Sequence, residues 1–390
     1  MKKILFLSNS KGYSGGEVVL ERLLLGLKNY QCSVYLPEGT FSEKLVKNHV
    51  RVFINNALTK LRTAEDKLYI FKSLWKFFYV SLRLIFLIKK NKPDLVIANG
   101  MSVVPYAIMS NIFFKKKILW IHHHPILESK SKEYYLAPRF ANLVDKIIPV
   151  SLALSKSLIR SGVDHRKLKT IYNGLDLNVF KENKWDRNYL RKTYGLSEDS
   201  VLIGLIGTIT EWKGFHVVLA AVKCLQKKGF LDNNKIIVFF IGKIFEKSKK
   251  DLEYNNFLTD YIKKNQLTHY VYFTGNLDHM PKVYQDLDIV LNCSVKPEPL
   301  GTTIYEAMSM GKIVIASEIG GTPEIIEDRI DGFLSKPGDA EELSNLLVEI
   351  TPNLFKYSQI KANARKKVEG KFSIDKMVDE YNTLIEPLFN

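Results

Sequence analysis

Short apolar runs alternate with longer segments of helical periodicity along most of the chain, and segments 17–28 and 68–90 are two of the helical ones. The apolar runs are ILFLS (4–8), CSVYLP (32–37), RVFI (51–54), DLVIAN (94–99), KILWIH (117–122), KIIPVS (146–151), IIVFFIG (236–242), VYFTG (271–275), IVLNCS (289–294) and IVIAS (313–317). Because strands and helices take turns, the sequence predicts an α/β fold with parallel sheets covered by helices on both faces.

The chain has 390 residues, a length that suits two domains of ordinary size better than one. The alternating pattern breaks in the polar segment 173–200 and restarts in VLIGLIGTITEWKGFHVVLAAVKCL. We therefore expect two α/β domains joined near residue 180.

The net charge of +16 gives information about binding partners rather than about the fold. Anionic lipids, nucleic acids and phosphorylated small molecules are all candidates, although no nucleic-acid-binding module is recognisable.

The three cysteines, Cys32, Cys224 and Cys293, are far apart in the sequence. This spacing predicts neither a disulfide framework nor a metal knuckle, and it fits a reducing compartment. The N-terminal run ILFL is too short for a secretory signal, and no window reaches 18 uncharged apolar residues. The sequence predicts a cytoplasmic protein.

Two loops that follow predicted strands have the composition of anion sites. Gly15-Gly16 lies where a helix begins, and unpaired backbone N–H groups at such a position favour an anion. A tight turn that needs positive φ explains these glycines equally well, and the loop is neither GxGxxG nor a Walker A motif. In GTITEWKG, Lys213 could place its ammonium group on a phosphate, although most single lysines are simply solvated.

The segment EPLGTTIYE places Glu298 and Glu306 around a short turn at the predicted start of a helix. Pro299 stiffens the approach, Gly301 is expected to allow an unusual backbone angle, and the N–H groups of 300–303 can point at one centre. A diphosphate there would meet both donors and a helix dipole, with Glu306 near a ribose-like hydroxyl pair. Glu306 could instead only complement the dipole, which leaves the Gly-Thr-Thr turn unexplained.

The ordered set SGGEVVLERL, VSLALSKSLIRSGV, IYNGLDLNVF, GTITEWKG, EPLGTTIYEAM and GGTPEIIEDRIDGFL covers nearly the whole chain. In this set the chain resembles retaining nucleotide-sugar glycosyltransferases with the GT-B fold, of the glycosyltransferase family 4 type, which include bacterial surface-polysaccharide enzymes. The resemblance implies two Rossmann-like domains that face each other across a cleft. Residues 1–178 would form the acceptor-side domain, residues 179–372 would bind the nucleotide sugar, and residues 373–390 would be a helix that crosses back to the first domain.

The resemblance also implies roles for single residues. Glu298, facing the donor sugar, His122, facing the transferred sugar, and Lys213, on the diphosphate, would be catalytic. Glu306, Leu300, Gly301, Thr302, Thr303 and Thr208 would bind the donor. Gly15 and Gly16 would line the cleft near the acceptor. His123 and His124 are less favoured, and neither a metal nor a cofactor is expected.

One position departs from the family pattern. Many members have an arginine where this chain has Thr208, so Lys213 would carry more of the phosphate charge or another cation would substitute.

A nucleotide-sugar epimerase and a non-catalytic binding subunit are the alternatives to a hexosyltransferase, and the departure at Thr208 favours the binding subunit. A dinucleotide-dependent oxidoreductase is disfavoured because the first loop lacks GxGxxG.

The segment from Lys67 to Pro93 contains seven basic residues and no acidic residue. On a helix the basic residues Lys72, Lys76, Arg83 and Lys90 share one face, flanked by Trp75, Tyr79 and Phe86. Leu74, Phe78, Ile85 and Ile88 lie opposite and are expected to pack on the sheet. This pattern predicts contact with an anionic membrane, where each cation adds about 1 kcal/mol, although a solvated lysine face is the alternative. We expect a peripheral protein on the inner face of the cell membrane that acts on a lipid-linked or surface-polysaccharide acceptor.

Overall fold

The strands in the described part of the chain form two six-stranded sheets in which all neighbouring strands are parallel. The computed structural model describes residues 1–58, 67–124, 131–182, 184–185, 188–244 and 249–389, with only the backbone of residues 67–72. The chain divides into a first unit, residues 1–174 with 374–390, and a second unit, residues 175–373. A parallel sheet is covered on both faces, which explains why its strands are apolar throughout.

The first unit contains one sheet with helices between its strands. Its strands are β1 (Lys3–Leu7), β2 (Gln31–Leu36), β3 (Arg51–Ile54), β4 (Leu95–Asn99), β5 (Lys117–His122) and β6 (Lys146–Pro149). Its helices are α1 (Gly15–Gly26), α2 (Thr40–Lys47), α3 (Lys67–Asn91), α4 (Val104–Phe114), α5 (Lys132–Asn142) and α6 (Leu152–Arg160). The strand order is β3-β2-β1-β4-β5-β6, so the chain changes direction across the sheet between β1 and β4.

The second unit repeats this architecture. Its strands are β7 (Val201–Ile206), β8 (Ile236–Ile241), β9 (Val271–Gly275), β10 (Ile289–Asn292), β11 (Ile313–Ser317) and β12 (Phe333–Ser335). Its helices are α7 (Tyr189–Tyr194), α8 (Phe215–Lys227), α9 (Phe230–Asn233), α10 (Lys249–Lys264), α11 (Met280–Asp286), α12 (Thr302–Ser309), α13 (Thr322–Ile325), α14 (Ala340–Ile350) and α15 (Ser358–Lys371). The order β12-β11-β10-β7-β8-β9 places the change of direction between β7 and β10.

The last helix, α16 (Ile374–Ile385), belongs to the first unit and packs against α1. The contact requires Gly26, because a Cβ atom there would lie 2.3 Å from a methyl group of Val378. None of the helices in the described part of the chain is long and apolar enough to cross a membrane.

The predicted α/β class with parallel sheets is confirmed, and the predicted strands appear within two residues of their expected bounds. The sequence analysis missed β12, which has three residues and is too short to show a period.

The expected packing of α3 was partly wrong. Ile88 is buried as expected, but Leu74 and Phe78 are exposed rather than packed on the sheet. The buried face consists instead of Val80, Leu84 and Ile88, which follow one another at helical spacing. The side chain of Lys72 lies outside the described residues.

A buried ion pair joins α7 to the end of α11 in the second unit. Arg191 pairs with Asp286 and also donates to the carbonyl oxygens of Asp286, at 2.8 Å, and Ser200, at 2.9 Å. The Asp286 carboxylate is fully buried and accepts the backbone N–H groups of Leu190, at 2.6 Å, and Arg191, at 3.0 Å. Both charged side chains are paired and hydrogen-bonded. Removing either one would therefore leave the other as a buried charge without its partner.

We expect Arg191→Leu to destabilise the second unit by about 3–5 kcal/mol, because Asp286 would keep a buried and uncompensated charge. The melting temperature, followed by circular dichroism, should fall by roughly 10 °C. Arg329→Leu in the same unit is the matched control, since its pair with Glu349 is exposed and contributes about 1 kcal/mol or less. Equal losses of melting temperature in the two variants would contradict the structural role of the buried pair.

Candidate functional site

The carboxyl ends of β7 and β10 lie side by side in the middle of the second sheet. From β7 the chain continues through residues 207–214 into α8, and from β10 it continues through residues 293–301 into α12. This is the point where the strand order reverses, and ligands of doubly wound sheets bind outside the carboxyl ends of the strands at such a point. Both loops carry residues that the sequence analysis selected.

The central contact of this site is an ion pair between the ammonium group of Lys213 and Oε1 of Glu298. Oε2 of Glu298 accepts the side-chain N–H of Asn292 at 3.0 Å and the hydroxyl of Ser294 at 3.1 Å. Both charged side chains are largely buried. Lys213 is therefore not the solvated surface lysine of the alternative interpretation.

The environment of Glu298 keeps its carboxylate ionised. Burial by itself raises the pKa of Glu298, but the charge of Lys213 and the hydrogen bonds from Lys213, Asn292 and Ser294 outweigh it, so that the pKa lies below its usual value. A carboxylate has about four lone-pair sites. Three bonds occupy them here, which leaves room for one further donor such as a hydroxyl group.

Two glycines hold the Lys213 loop close to its neighbours. Gly214 has a φ of +76°, and a Cβ atom there would lie 1.9 Å from the carbonyl oxygen of Cys293. The backbone N–H of Val295 donates to the carbonyl of Trp212 at 2.8 Å. At Gly207, which has a φ of +150°, the aliphatic part of the Lys213 side chain lies at an ordinary contact distance, 3.5 Å, from where a Cβ atom would be. The close backbone approach at Gly214, which a larger residue would prevent, fixes Lys213 relative to Glu298.

The Gly320-Gly321 loop supports the turn that carries Glu298. A Cβ atom on Gly320 would lie 2.3 Å from the carbonyl oxygen of Glu298, and one on Gly321 would lie 2.3 Å from that of Pro299. The N–H of Gly321 donates to the carbonyl of Glu298 at 2.9 Å. This loop follows β11, so the strand beside β10 also positions the site.

The expected backbone angle of Gly301 was wrong. Its φ of −70° is ordinary for any residue, so no unusual backbone angle requires glycine. A Cβ atom there would lie 2.8 Å from a carbon of Ile304 and 3.2 Å from the side-chain nitrogen of Asn292. A larger residue would therefore displace the side chains of Ile304 and Asn292.

The helix α12 begins directly after this turn, and the N–H groups of its first residues, Thr302 and Thr303, have no partner within the helix. The side-chain amide of Asn292 reaches the hydroxyl of Thr303 at 3.4 Å as well as Glu298. Glu298, Lys213 and the first turn of α12 therefore share one hydrogen-bonded cluster. The structure brings together the groups that the sequence analysis placed on one diphosphate.

Glu306 is the fifth residue of α12, beyond its first turn. The dipole effect falls off within the first turn, so complementing the dipole does not explain an acid at this position. Its Oε2 accepts the hydroxyl of Tyr284 at 2.9 Å. Tyr284 is fully buried, and its burial and the nearby carboxylate raise its pKa, so the hydroxyl stays a proton donor. Tyr284 therefore holds one oxygen of Glu306 in a defined place.

Thr208, at the family arginine position, lies partly buried in the loop after β7. The N–H of the next residue, Ile209, donates to the carbonyl of Lys243 at 3.0 Å. Lys243 is exposed and follows the end of β8. The backbone of Lys243 therefore lies beside the Thr208 loop, which makes Lys243 a candidate for the second cation.

In the first unit, polar residues gather at the carboxyl ends of β1, β4 and β5. Gly15 and Gly16 begin α1 after β1, and neither has a positive φ. A Cβ atom on Gly16 would meet nothing within 4 Å, so the tight-turn interpretation of this glycine was wrong and the surface above its backbone is open. At the end of β4, Asn99 Oδ1 lies 2.6 Å from His123 Nε2.

His122 ends β5 and is 2% exposed, with its ring packed edge-on against Trp120 at 5.1 Å between centroids. Burial lowers the pKa of His122 to about 3, neighbouring His123 and His124 lower it too, and the backbone of His124 opposes this only in part. The imidazole is therefore neutral at pH 7. Neither ring nitrogen has a hydrogen-bond partner among the described residues.

The sequence analysis did not identify three residues of the second-unit cluster. Asn292, Ser294 and Tyr284 orient the two glutamates. Asn292 and Ser294 were visible as polar residues at the end of the predicted strand 289–294, where ligand-contacting residues of parallel sheets occur. Tyr284 gave no such indication, because it lies on α11 and only the packing of α11 brings it to Glu306.

Family models and known proteins were compared with the chain. The model for Glycosyltransferase Family 4 matches residues 13–179, and the model for Glycosyl transferases group 1 matches residues 186–367. An uncharacterized glycosyltransferase of Methanocaldococcus jannaschii is 24% identical over 71% of this chain and 70% of its own. N-acetyl-alpha-D-glucosaminyl L-malate synthase of Bacillus anthracis is 26% identical over 60% of this chain and 58% of its own.

An Escherichia coli UDP-Gal:alpha-D-GlcNAc-diphosphoundecaprenol alpha-1,3-galactosyltransferase is 28% identical over 57% of this chain and 54% of its own. The chain thus spans little more than half the length of this relative and of the synthase. Among solved structures, HepE of Anabaena in complex with UDP has a TM-score of 0.83 and 24% identity, covering 99% of this chain and 100% of its own. The likeness in structure establishes the two-unit GT-B fold.

The pH dependence of stability tests the ion pair. Since the pKa of Glu298 is lowered in the folded state, its contribution to stability is present above the usual glutamate value of 4.5 and is lost as the pH falls through the folded pKa. The difference in melting temperature between the native chain and Glu298→Gln should be constant above pH 4.5 and shrink below it. Glu253→Gln on the exposed face of α10 controls for the change in net charge. A difference that persists unchanged in acid would show that Glu298 is not ionised in the folded state.

Proposed function

We propose, since the chain belongs to the GT-B glycosyltransferases of the family 4 type, that it transfers a hexose from a UDP- or GDP-sugar to a lipid-linked or surface-polysaccharide acceptor. We further propose that the anomeric configuration is retained and that the enzyme works at the inner face of the cell membrane. The observation that carries this proposal is the cluster of Lys213, Glu298 and the first turn of α12 at the strand-order reversal of the second unit.

The cluster suits a departing diphosphate. An ammonium group has three donors, and Lys213 uses one of them on Glu298, so two remain for phosphate oxygens. The free N–H groups of Thr302 and Thr303 and the positive end of the α12 dipole would add to the same charge. These groups are held in place before the substrate binds, and preorganised donors of this kind stabilise developing negative charge most effectively. Leu300 and Gly301 bring the backbone to the diphosphate, and Thr208 and Lys243 would border it.

The two glutamates would bind opposite ends of the donor. Glu306, oriented by Tyr284, would accept a ribose hydroxyl pair. Glu298 has one acceptor site left, which suits one hydroxyl of the donor sugar. Crystals of HepE of Anabaena contain UDP or UDP-glucose, which supports a uridine nucleotide for this chain. Neither glutamate needs to attack the sugar, because the charge on the departing diphosphate is what the cluster stabilises.

The first unit would supply the acceptor side. The surface above Gly16 is open to a ligand, and neutral His122 would offer a hydrogen bond to the transferred sugar rather than a proton at pH 7. The galactosyltransferase of Escherichia coli is named for a diphosphoundecaprenol-linked acceptor, which supports a lipid-linked acceptor here.

Glu306→Ala should weaken UDP binding about ten- to a hundredfold, because a hydrogen bond to a charged group is lost. Glu298→Gln should bind UDP with similar affinity but lose most of the transfer rate, since UDP lacks the donor sugar that Glu298 would contact. Calorimetry with UDP and GDP, followed by product analysis with a panel of nucleotide sugars, measures both effects. Glu253→Gln is the control and should behave as the native chain does.

Several outcomes would contradict this proposal. A Glu306→Ala enzyme that binds UDP and transfers sugar as well as the native chain does would refute the site assignment, and native protein that binds no nucleotide would indicate a non-catalytic subunit. Epimerised donor formed without acceptor would indicate an epimerase. A product with inverted anomeric configuration, determined by NMR, would refute retention.

We also propose that transfer needs neither a metal ion nor a cofactor, because Lys213 and the α12 terminus supply the positive charge. Chelation with EDTA should then leave the transfer rate unchanged, whereas Lys213→Met should lower it by roughly 10²–10³-fold. A loss of rate in EDTA that magnesium restores would contradict the proposal. A thermal melting curve of Lys213→Met, measured beside its UDP binding, separates a lost phosphate contact from a failure to fold.

A further inference from the structure

The helix α3 exposes a second apolar face that the sequence pattern did not reveal. Leu74, Trp75, Phe78, Leu82 and Phe86, here named the apolar stripe, are all more than half exposed, with Trp75 at 71%. At about 100° per residue these side chains fall opposite the buried face of Val80, Leu84 and Ile88. The helix therefore covers the sheet with one apolar face and presents another to its surroundings.

Positive charge borders the apolar stripe along one edge. At about 100° per residue the exposed residues Arg83 and Lys90 fall on this edge, and the exposed Lys89 lies in line with the stripe at its C-terminal end. The hydroxyl of Tyr79, on the Arg83 side, accepts a hydrogen bond from Arg83 at 2.9 Å. From Lys67 to Pro93 the sequence has no acidic residue to balance these charges.

The neighbouring helix α4 also exposes apolar residues next to cations. Both α3 and α4 lead into adjacent parallel strands, β4 and β5, so their C-terminal ends lie at one edge of the sheet. At its end α4 exposes Ile112 and Phe113, directly before the three lysines of 115–117. Exposed apolar residues followed by cations thus occur twice at this edge.

We propose that the apolar stripe of α3 inserts into the interface of an anionic lipid bilayer, with α3 parallel to the membrane plane. This inference rests on the membrane-linked acceptor of the proposed function and names the surface that docks. Aromatic and aliphatic side chains with a cationic border are the combination that interfacial helices use, and Trp and Tyr favour the level of the lipid headgroups. Basic residues alone would hold the protein at the membrane surface only by electrostatic attraction. The apolar stripe adds a contribution to the free energy of membrane binding that salt does not screen.

A second copy of the chain fits this surface less well. In a two-fold symmetric dimer the same patch faces itself, so the cations of one copy would be brought close to those of the other. Anionic headgroups, by contrast, neutralise these cations. The charge pattern therefore favours the bilayer as the occupant.

Vesicle flotation and tryptophan fluorescence test the insertion. The full chain is mixed with vesicles of phosphatidylcholine alone or with phosphatidylglycerol, at low salt and at 1 M salt, where the Debye length is ~3 Å. The native chain should bind the anionic vesicles, retain part of this binding at 1 M salt, and show a blue shift that Trp75→Phe removes. Phe78→Ser combined with Phe86→Ser should reduce binding by at least about tenfold. Phe355→Ser, which removes an equally exposed phenyl ring from the second unit, should bind as the native chain does.

Binding that is abolished at 1 M salt, or that is unaffected by the Phe78→Ser and Phe86→Ser changes, would overturn the insertion. So would a native dimer in sedimentation analysis that these changes convert to a monomer. UDP affinity is measured on the same variants and should be unchanged, because the stripe belongs to the first unit and the nucleotide cluster to the second. Vesicle binding without binding of UDP or GDP would leave the inference standing and refute the proposed function, while nucleotide binding without vesicle binding would overturn the inference and leave the donor site standing.

Discussion

The ion pair between Lys213 and Glu298 is the contact on which the candidate site depends. Removing two charges from water costs free energy. A largely buried ion pair such as this one is therefore not by itself evidence that the fold is stabilised. Here three donors hold the carboxylate and leave one acceptor site, whereas the ammonium group, which also lies 4.4 Å from the centre of the Trp212 ring, uses a single hydrogen-bond donor on Glu298. The ammonium group therefore keeps donors for an additional anion, and the carboxylate keeps one acceptor site for a hydroxyl group.

A second buried pair in the same unit shows the contrast. Arg191 directs its guanidinium group to Asp286 and to two backbone carbonyls, and Asp286 accepts two backbone N–H groups in return. That pair has satisfied partners on both sides and joins two helices. Burial and charge are similar in the two pairs, so it is the satisfaction of the cation, together with the position at the strand-order reversal, that separates a structural pair from a candidate site.

The glycines around the site act through space more than through backbone angle. Gly214, Gly320 and Gly321 each let one backbone approach another to a distance that a Cβ atom would prevent, and Gly301 lets Asn292 pass. Only Gly214 and Gly320 among these four also have a positive φ. The loops after β7, β10 and β11 are thus packed against one another, and these backbone contacts fix the positions of the functional side chains.

The fold class and most strands follow from the sequence alone, because buried parallel strands are continuous apolar runs that stand out between polar loops. The sequence also places Lys213, Glu298 and Glu306 on loops and helix starts that follow strands, since these positions depend on chain order. The partners that orient these residues depend on tertiary packing: Tyr284 reaches Glu306 from another helix, and at Gly301 it is the space beside Ile304 and Asn292, not the φ angle, that favours glycine. The same holds for α3, whose periodicity permits two apolar faces, and only packing on the sheet showed that Val80 and Leu84 are buried while Leu74 and Phe78 are exposed. Local periodicity records which residues share a face, but the rotation of a helix against its sheet is set by contacts between segments distant in the sequence.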